Sequence, residues 1–292
     1  MTLNSLHPVS ALIYFIAVLI PAMFCVNPLI QATALITAFC FLCTQQRLKQ
    51  NLSDLVFYIF LFILIAVTNP IFSHNGETVL FFLNDNAITL EAIICGASIS
   101  CAIICVIIWC KCLGNVLSSD KIVYLFGRAT PKTALIISMA LRFIPLFKEQ
   151  LKRVKTVQKT MGLYNRSSIP DKLMSTLKIM SSMVTWSLEN SVELSSSMKA
   201  RGYGQKNRTS FSLYKFTVSD AVFTLITAVL FILTVISVAN GSLSFSYYPY
   251  ISKISLSASA VISYTAYFML CIIPFIFELK EAVKWKYYLC RI

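Results

Sequence analysis

Long uncharged, apolar runs divide the chain. No Asp, Glu, Lys or Arg precedes Arg47. As one helix that stretch would measure roughly 60 Å, about twice the hydrocarbon thickness of a bilayer. It therefore predicts two spans, near residues 9–25 and 28–45, broken at Asn27-Pro28. A cleavable signal peptide is not expected, because the basic n-region is lacking and the apolar stretch is too long. Four further uncharged runs, 55–76, 92–110, 221–252 and 254–277, are each long enough to cross. They predict spans near 54–73, 87–112, 219–240 and 256–279. The run 133–141 is too short to cross. Ser53-Asp54 and Ser219-Asp220 fit N-caps at the starts of spans 3 and 5.

The connection between spans 3 and 4, residues 74–86, reads as an outer loop with His74, Gly76, Glu77 and the turn-like Asn84-Asp85-Asn86. The connection between spans 5 and 6 holds Gly241 and Tyr247-Tyr248-Pro249-Tyr250, whose tyrosines suit the headgroup zone. Lys284-Trp285-Lys286-Tyr287-Tyr288 predicts a similar anchor at the other membrane face.

About a hundred residues separate spans 4 and 5, and their pattern predicts two long helices. Thr130-Pro131 opens the first, with Thr as N-cap and Pro at the first helical position. Pro145 removes a donor inside it, so a kink is expected. Ile144, Phe147, Leu151, Val154 and Met161 recur at helical steps, while Lys148, Lys152, Arg153, Lys155 and Lys159 fill the other faces. Gly162 is a left-handed C-cap candidate. Ser168-Ile169-Pro170-Asp171 matches a capping box for the second helix. Its apolar stripe is Leu173, Leu177, Met180, Val184 and Leu188. Ser187, Ser191 and Ser195 would permit a close helix crossing, and Gly202 stops the helix.

Composition agrees with a membrane protein: 57% of residues are apolar and 13% charged, about half the charge of a soluble domain. Charge also sets the orientation. Of 25 Lys and Arg, 18 lie between Lys111 and Lys215, and only Lys253 falls in an expected outer loop. With both termini cytoplasmic, six spans place every other cation inside. The whole net charge of +13 resides in 111–218, where 18 basic groups meet five acidic ones. Such a segment is attracted to anionic lipid, whereas nucleic-acid signatures are lacking. Ten cysteines lie almost wholly in the spans without a CxxC, and read as small apolar fillers.

Several chemistries are missing. No Gly precedes Lys, so there is no P-loop. With His7 and His74 the only histidines, histidine triads and HExxH sites are excluded. Ionisable groups are nearly absent from the spans, which disfavours a stand-alone secondary carrier. Glu91 is either a polar contact in the outer half of the bundle or a first-turn carboxylate favoured by the helix dipole. A membrane enzyme acting on lipid-linked phosphates would need an acid–base cluster. The basic segment offers only Asp120, Glu149, Asp171, Glu189 and Glu193, the last two expected to pair with Lys or Arg of the neighbouring helix. By themselves Arg201 and Gly202 could be no more than a helix stop.

The stretch Ala140-Leu141-Arg142-Phe143-Ile144-Pro145-Leu146, with Glu149, Arg153 and Gln158, resembles the first coupling-helix motif of the transmembrane T component of energy-coupling factor (ECF) transporters. Met198-Lys199-Ala200-Arg201-Gly202-Tyr203-Gly204 resembles that family's second motif with its Ala-Arg-Gly signature. Asn69-Pro70-Ile71-Phe72-Ser73-His74 and Thr89-Leu90-Glu91-Ala92 are also similar.

The resemblance implies an all-α integral membrane protein of about six transmembrane helices with two long cytoplasmic coupling helices, in a prokaryotic plasma membrane. Residues 1–112 would hold spans 1–4, 113–218 the coupling region, and 219–292 spans 5–6 with a short tail. It further implies a non-catalytic subunit of an ATP-driven importer for vitamins or transition-metal ions. Its partners would be two ABC-type ATPases, which bind the ATP, and a small membrane S component, which binds the solute. The chain itself would hold no cofactor or metal. Ala200, Arg201 and Gly202 would form one ATPase-coupling tip; Lys159, Thr160, Met161 and Gly162 would form the other. Met161 stands where the family usually carries Arg. Lys159 is a point charge rather than a planar fork, so the two tips are expected to dock unequally.

Overall fold

The computed structural model describes residues 6–45, 48–73, 76–83, 86–162, 169–205, 214–249, 251–255 and 257–289. Along the chain the elements are α1 (Pro8–Phe24), α2 (Pro28–Gln45), α3 (Leu48–Phe72), β1 (Val79–Leu83), β2 (Asn86–Thr89), α4 (Leu90–Val116), α5 (Ser119–Ala129), α6 (Pro131–Thr160), α7 (Ile169–Ala200), α8 (Val218–Ala239) and α9 (Ala258–Leu289). They form two compact units, Met1–Ile122 with Tyr214–Ile292, and Val123–Leu213.

The first unit carries the expected spans. Among the described helices α2, α3, α4, α8 and α9 are long and apolar enough to cross a bilayer. At 17 residues, α1 sits at the lower limit for crossing. The protein is thus an all-α, multi-pass membrane protein. Helix starts are set by local chemistry. His7 Nδ1 accepts from the Val9 N–H (3.3 Å) and Asn27 Oδ1 from the Leu29 N–H (3.1 Å), each ahead of a proline at the first helical position.

Two expected caps differ. α3 begins at Leu48, so Ser53 lies inside the helix and Asp54 instead pairs with Lys111 of α4. The N-cap of α8 is Thr217 rather than Ser219. Thr217 and Asp220 form a reciprocal capping box, with Thr217 N–H on Asp220 Oδ2 at 2.9 Å. Asp220 Oδ1 also accepts the His7 N–H (3.0 Å), which joins the starts of α1 and α8.

α4 packs on α1, α2 and α3, while α9 packs on α2 and α8. At the centre Trp109, fully buried, stacks on Phe41 and meets Tyr14 and Phe15 edge-on. Hydrocarbon offers no hydrogen bonds, so buried polar groups must find partners inside the bundle. Trp109 Nε1 donates to the Ala34 carbonyl (3.3 Å), Tyr14 to Leu270 (3.2 Å) and Tyr267 to Val18 (3.2 Å). Ser98 Oγ donates to Gln31 Oε1 at 2.6 Å. The nine described cysteines are free thiols. Where α4 ends, buried Lys121 donates to the Val116 carbonyl (3.1 Å), a favourable place for a cation. Burial lowers its pKa from the ordinary lysine value.

α3 and α4 approach closely at Gly96. A Cβ there would stand 2.8 Å from the Ala66 carbonyl and 3.0 Å from Asn69 Cβ. Asn69 Nδ2 donates to the Ala92 carbonyl (2.8 Å) across the same contact. Gly96→Val should therefore lower stability by roughly 1–3 kcal/mol. Gly114→Ala, with nothing within 4 Å of the added carbon, should not. Thermal unfolding of the two variants in detergent distinguishes these outcomes.

The expected outer loop is in part a hairpin. β1 and β2 pair antiparallel, with Phe82 opposite Ala87 and Leu83 opposite Asn86. Its base is anchored by Glu91. This carboxylate lies in the first turn of α4, 4% exposed, and accepts from Thr78 Oγ1 at 2.8 Å. Both readings of Glu91 thus describe one arrangement. Tyr247 donates to the Val26 carbonyl (3.1 Å), and Tyr248 lies 3.3 Å from the Ser73 hydroxyl. His74, Asn84, Asp85, Ser168, Tyr250 and Cys290, and the side chains of Asn86, Trp285 and Lys286, lie outside the described set.

Candidate functional site

The second unit holds α6, α7 and most of α5. Thr130 precedes α6 and Pro131 is its first residue, but Thr130 makes no side-chain cap. Its hydroxyl lies against Thr133 Oγ1 instead. α6 then runs unbroken through Pro145.

Ser175, Ile179, Met183, Trp186, Asn190 and Leu194 are buried or half-buried and form one stripe of α7. Trp186 meets Phe147 of α6 edge-to-face, centroids 5.2 Å apart. The stripe singled out from sequence points elsewhere. Leu173, Leu177, Met180, Val184 and Leu188 are all more than half exposed, and Val192 continues the row at 71%. Part of it borders a cavity of about 380 Å³ between α6 and α7, lined by Phe147, Leu151, Met180, Met183, Val184 and Leu188. Ser191 and Ser195 are exposed and Ser187 is half-buried, so the serine row does not form the main contact face of α7. Nor do Glu189 and Glu193 make ion pairs among the described residues. In this unit the described ion pair joins two motif residues, Arg153 and Glu149, at 2.6 Å. Exposed and one turn apart, it contributes about 0.3–0.5 kcal/mol. Arg142 is exposed, whereas Gln158 is half-buried with an enclosed Oε1 that accepts no hydrogen bond among the described residues.

Both helices stop at a glycine of positive φ. Gly162 has φ +78° and its N–H returns to the Lys159 carbonyl (3.1 Å). Thr160 Oγ1 donates back to Val157 (2.8 Å), and Met161 is 72% exposed. At the end of α7, Gly202 has φ +76°. Its N–H reaches the Lys199 carbonyl (2.9 Å) and the Tyr203 N–H reaches Met198 (3.0 Å), the two bonds of a Schellman cap. The cap satisfies the Met198 and Lys199 carbonyls with backbone alone. That leaves the exposed Arg201 guanidinium, flanked by Ala200 and Gly202, available to a partner.

A family model described as cobalt transport protein, CbiQ, matches residues 2–211. An uncharacterized protein of Mycoplasma pneumoniae is 28% identical over 175 residues, covering 56% of this chain and 40% of that protein. The energy-coupling factor transporter transmembrane protein EcfT of Listeria innocua is 26% identical over 59% of this chain and 69% of its own length. The EcfT of Bacillus selenitireducens is 32% identical over 32% of this chain and 35% of its own length. The chain therefore matches well under half of some curated relatives.

Proposed function

Because the chain belongs to the CbiQ cobalt transport protein family, we propose that it is the transmembrane coupling subunit of an ATP-driven importer of the ECF type. In this role two ABC-type ATPases bind and hydrolyse ATP, a small membrane S component binds a vitamin or transition-metal ion, and this chain joins them. The reading is carried by the pair of helix ends at Met161-Gly162 and Arg201-Gly202. Each is sealed by backbone hydrogen bonds at a positive-φ glycine, and each leaves its preceding side chain exposed.

A coupling element must pass rigid-body motion from a soluble motor to a membrane body. α6 and α7, at 30 and 32 residues, are each about 45 Å long and suit that task better than loops. Arg201 offers a planar, permanently charged fork to a carboxylate. We assign the exposed row Leu173, Leu177, Met180, Val184 and Leu188 to the S component, since a contiguous exposed apolar row marks a partner site. Residues 113–218 then lie in the cytoplasm with both termini. The test is affinity purification of the tagged chain in mild detergent with mass spectrometry of what it retains. Two cassette ATPases are expected. Their absence, together with solute uptake unaltered by Arg201→Ala, would overturn the reading.

A further inference from the structure

The β1–β2 hairpin is not needed by the coupling role, and its surface is unusual. Val79, Leu80, Phe81 and Phe82 are 45–70% exposed. A bulge interrupts the alternation at Leu80, but Phe81 and Phe82 are consecutive and pair with Ile88 and Ala87, so they point to opposite faces of the hairpin. A hairpin bathed in water alternates polar with apolar; this one presents hydrocarbon on both sides. Its base is held firmly. Ile88 and Thr89 are buried, Thr89 caps α4, and Glu91 grips Thr78. Gly76 closes the base at φ +143°, where a Cβ would stand 2.7 Å from both Glu91 Oε2 and Thr89 Oγ1. The strand is thus presented from a rigid mount.

Its apolar surface continues that of the spans. Ile71 and Phe72 at the end of α3, and Leu90, Ile93 and Ile94 at the start of α4, are likewise exposed. Depth is limited from the other direction. A two-stranded ladder leaves two edges of unpaired N–H and C=O groups, which hydrocarbon does not tolerate, and Glu77 and Asp85 bracket β1 in sequence. Two apolar faces with polar edges and charged ends fit the boundary between headgroups and acyl chains. We propose that β1 is an interfacial anchor, with Phe81 and Phe82 inserted among the upper acyl chains of the non-cytoplasmic leaflet. The side assignment rests on the orientation given under Proposed function, but the insertion does not rest on the coupling role. Capture of ATPases can therefore succeed while this proposal fails.

The test is emission from Phe81→Trp and Phe82→Trp, read as the difference from the unaltered full chain in phosphatidylcholine vesicles. Both added signals should be blue-shifted. Both should lose most of their intensity with lipids brominated near the headgroup, less with lipids brominated near the chain ends, and little with aqueous iodide. Efficient iodide quenching would overturn the proposal by placing the hairpin in water or at a protein partner's wet rim. Stronger quenching by the deep bromines, or a response from only one of the two positions, would overturn it equally.

Discussion

Arg201→Ala is expected to weaken retention of the ATPases by about thirtyfold or more. Removing one member of a desolvated, hydrogen-bonded charge pair costs roughly 2–5 kcal/mol, and each 1.4 kcal/mol is a tenfold change in affinity. The Schellman cap of α7 uses only backbone groups of Lys199, Met198, Gly202 and Tyr203, so the substitution leaves the helix end intact and reads the contact alone. Met161→Ala at the other tip removes an apolar side chain. Its effect should be smaller and nearly independent of salt, whereas the Arg201 contribution should shrink as salt rises. Equal losses from the two variants, measured by co-purification across a salt series, would contradict unequal docking.

Trp109→Ala should cause the largest loss of stability in the membrane unit, about 3–5 kcal/mol. Trp109 is the largest fully buried side chain and touches Phe41, Tyr14 and Phe15. It thereby bridges α1, α2 and α4. Removing it leaves a void, and Tyr14 can move into that void only by leaving its hydrogen bond to the Leu270 carbonyl. Trp109→Phe keeps most of the volume and gives up the Ala34 hydrogen bond, so it should cost less. Equilibrium unfolding in detergent, with the two variants side by side, checks the order.

The spans were legible because lipid imposes a one-dimensional rule: long stretches without charge. α2 was placed at 28–45 from sequence and is found at Pro28–Gln45. The second helix, expected to close on Gly202, ends at Ala200 with Gly202 at positive φ. Other features needed three dimensions. α7 carries two apolar rows, one through Ile179, Met183 and Trp186 and one through Leu173, Leu177 and Met180. Periodicity reveals both without saying which packs on α6. The run Val79–Leu83 is too short for its period to separate strand from loop, although its β-branched and aromatic content was the available signal. Ser53-Asp54 has the composition of a cap, but α3 continues below it and Asp54 answers Lys111, 57 residues away. Ser98 and Gln31 are 67 residues apart, and only the fold brings them together.

The central claim is that the ends of α6 and α7 are where this chain meets its motor. Photo-reactive residues placed singly at Thr160, at Tyr203 and at Phe82 test it most directly, in cells that make the whole transporter. The account predicts covalent adducts with the cassette ATPases from Thr160 and Tyr203 and none from Phe82. Adducts from Phe82, or none from either helix end, would contradict it.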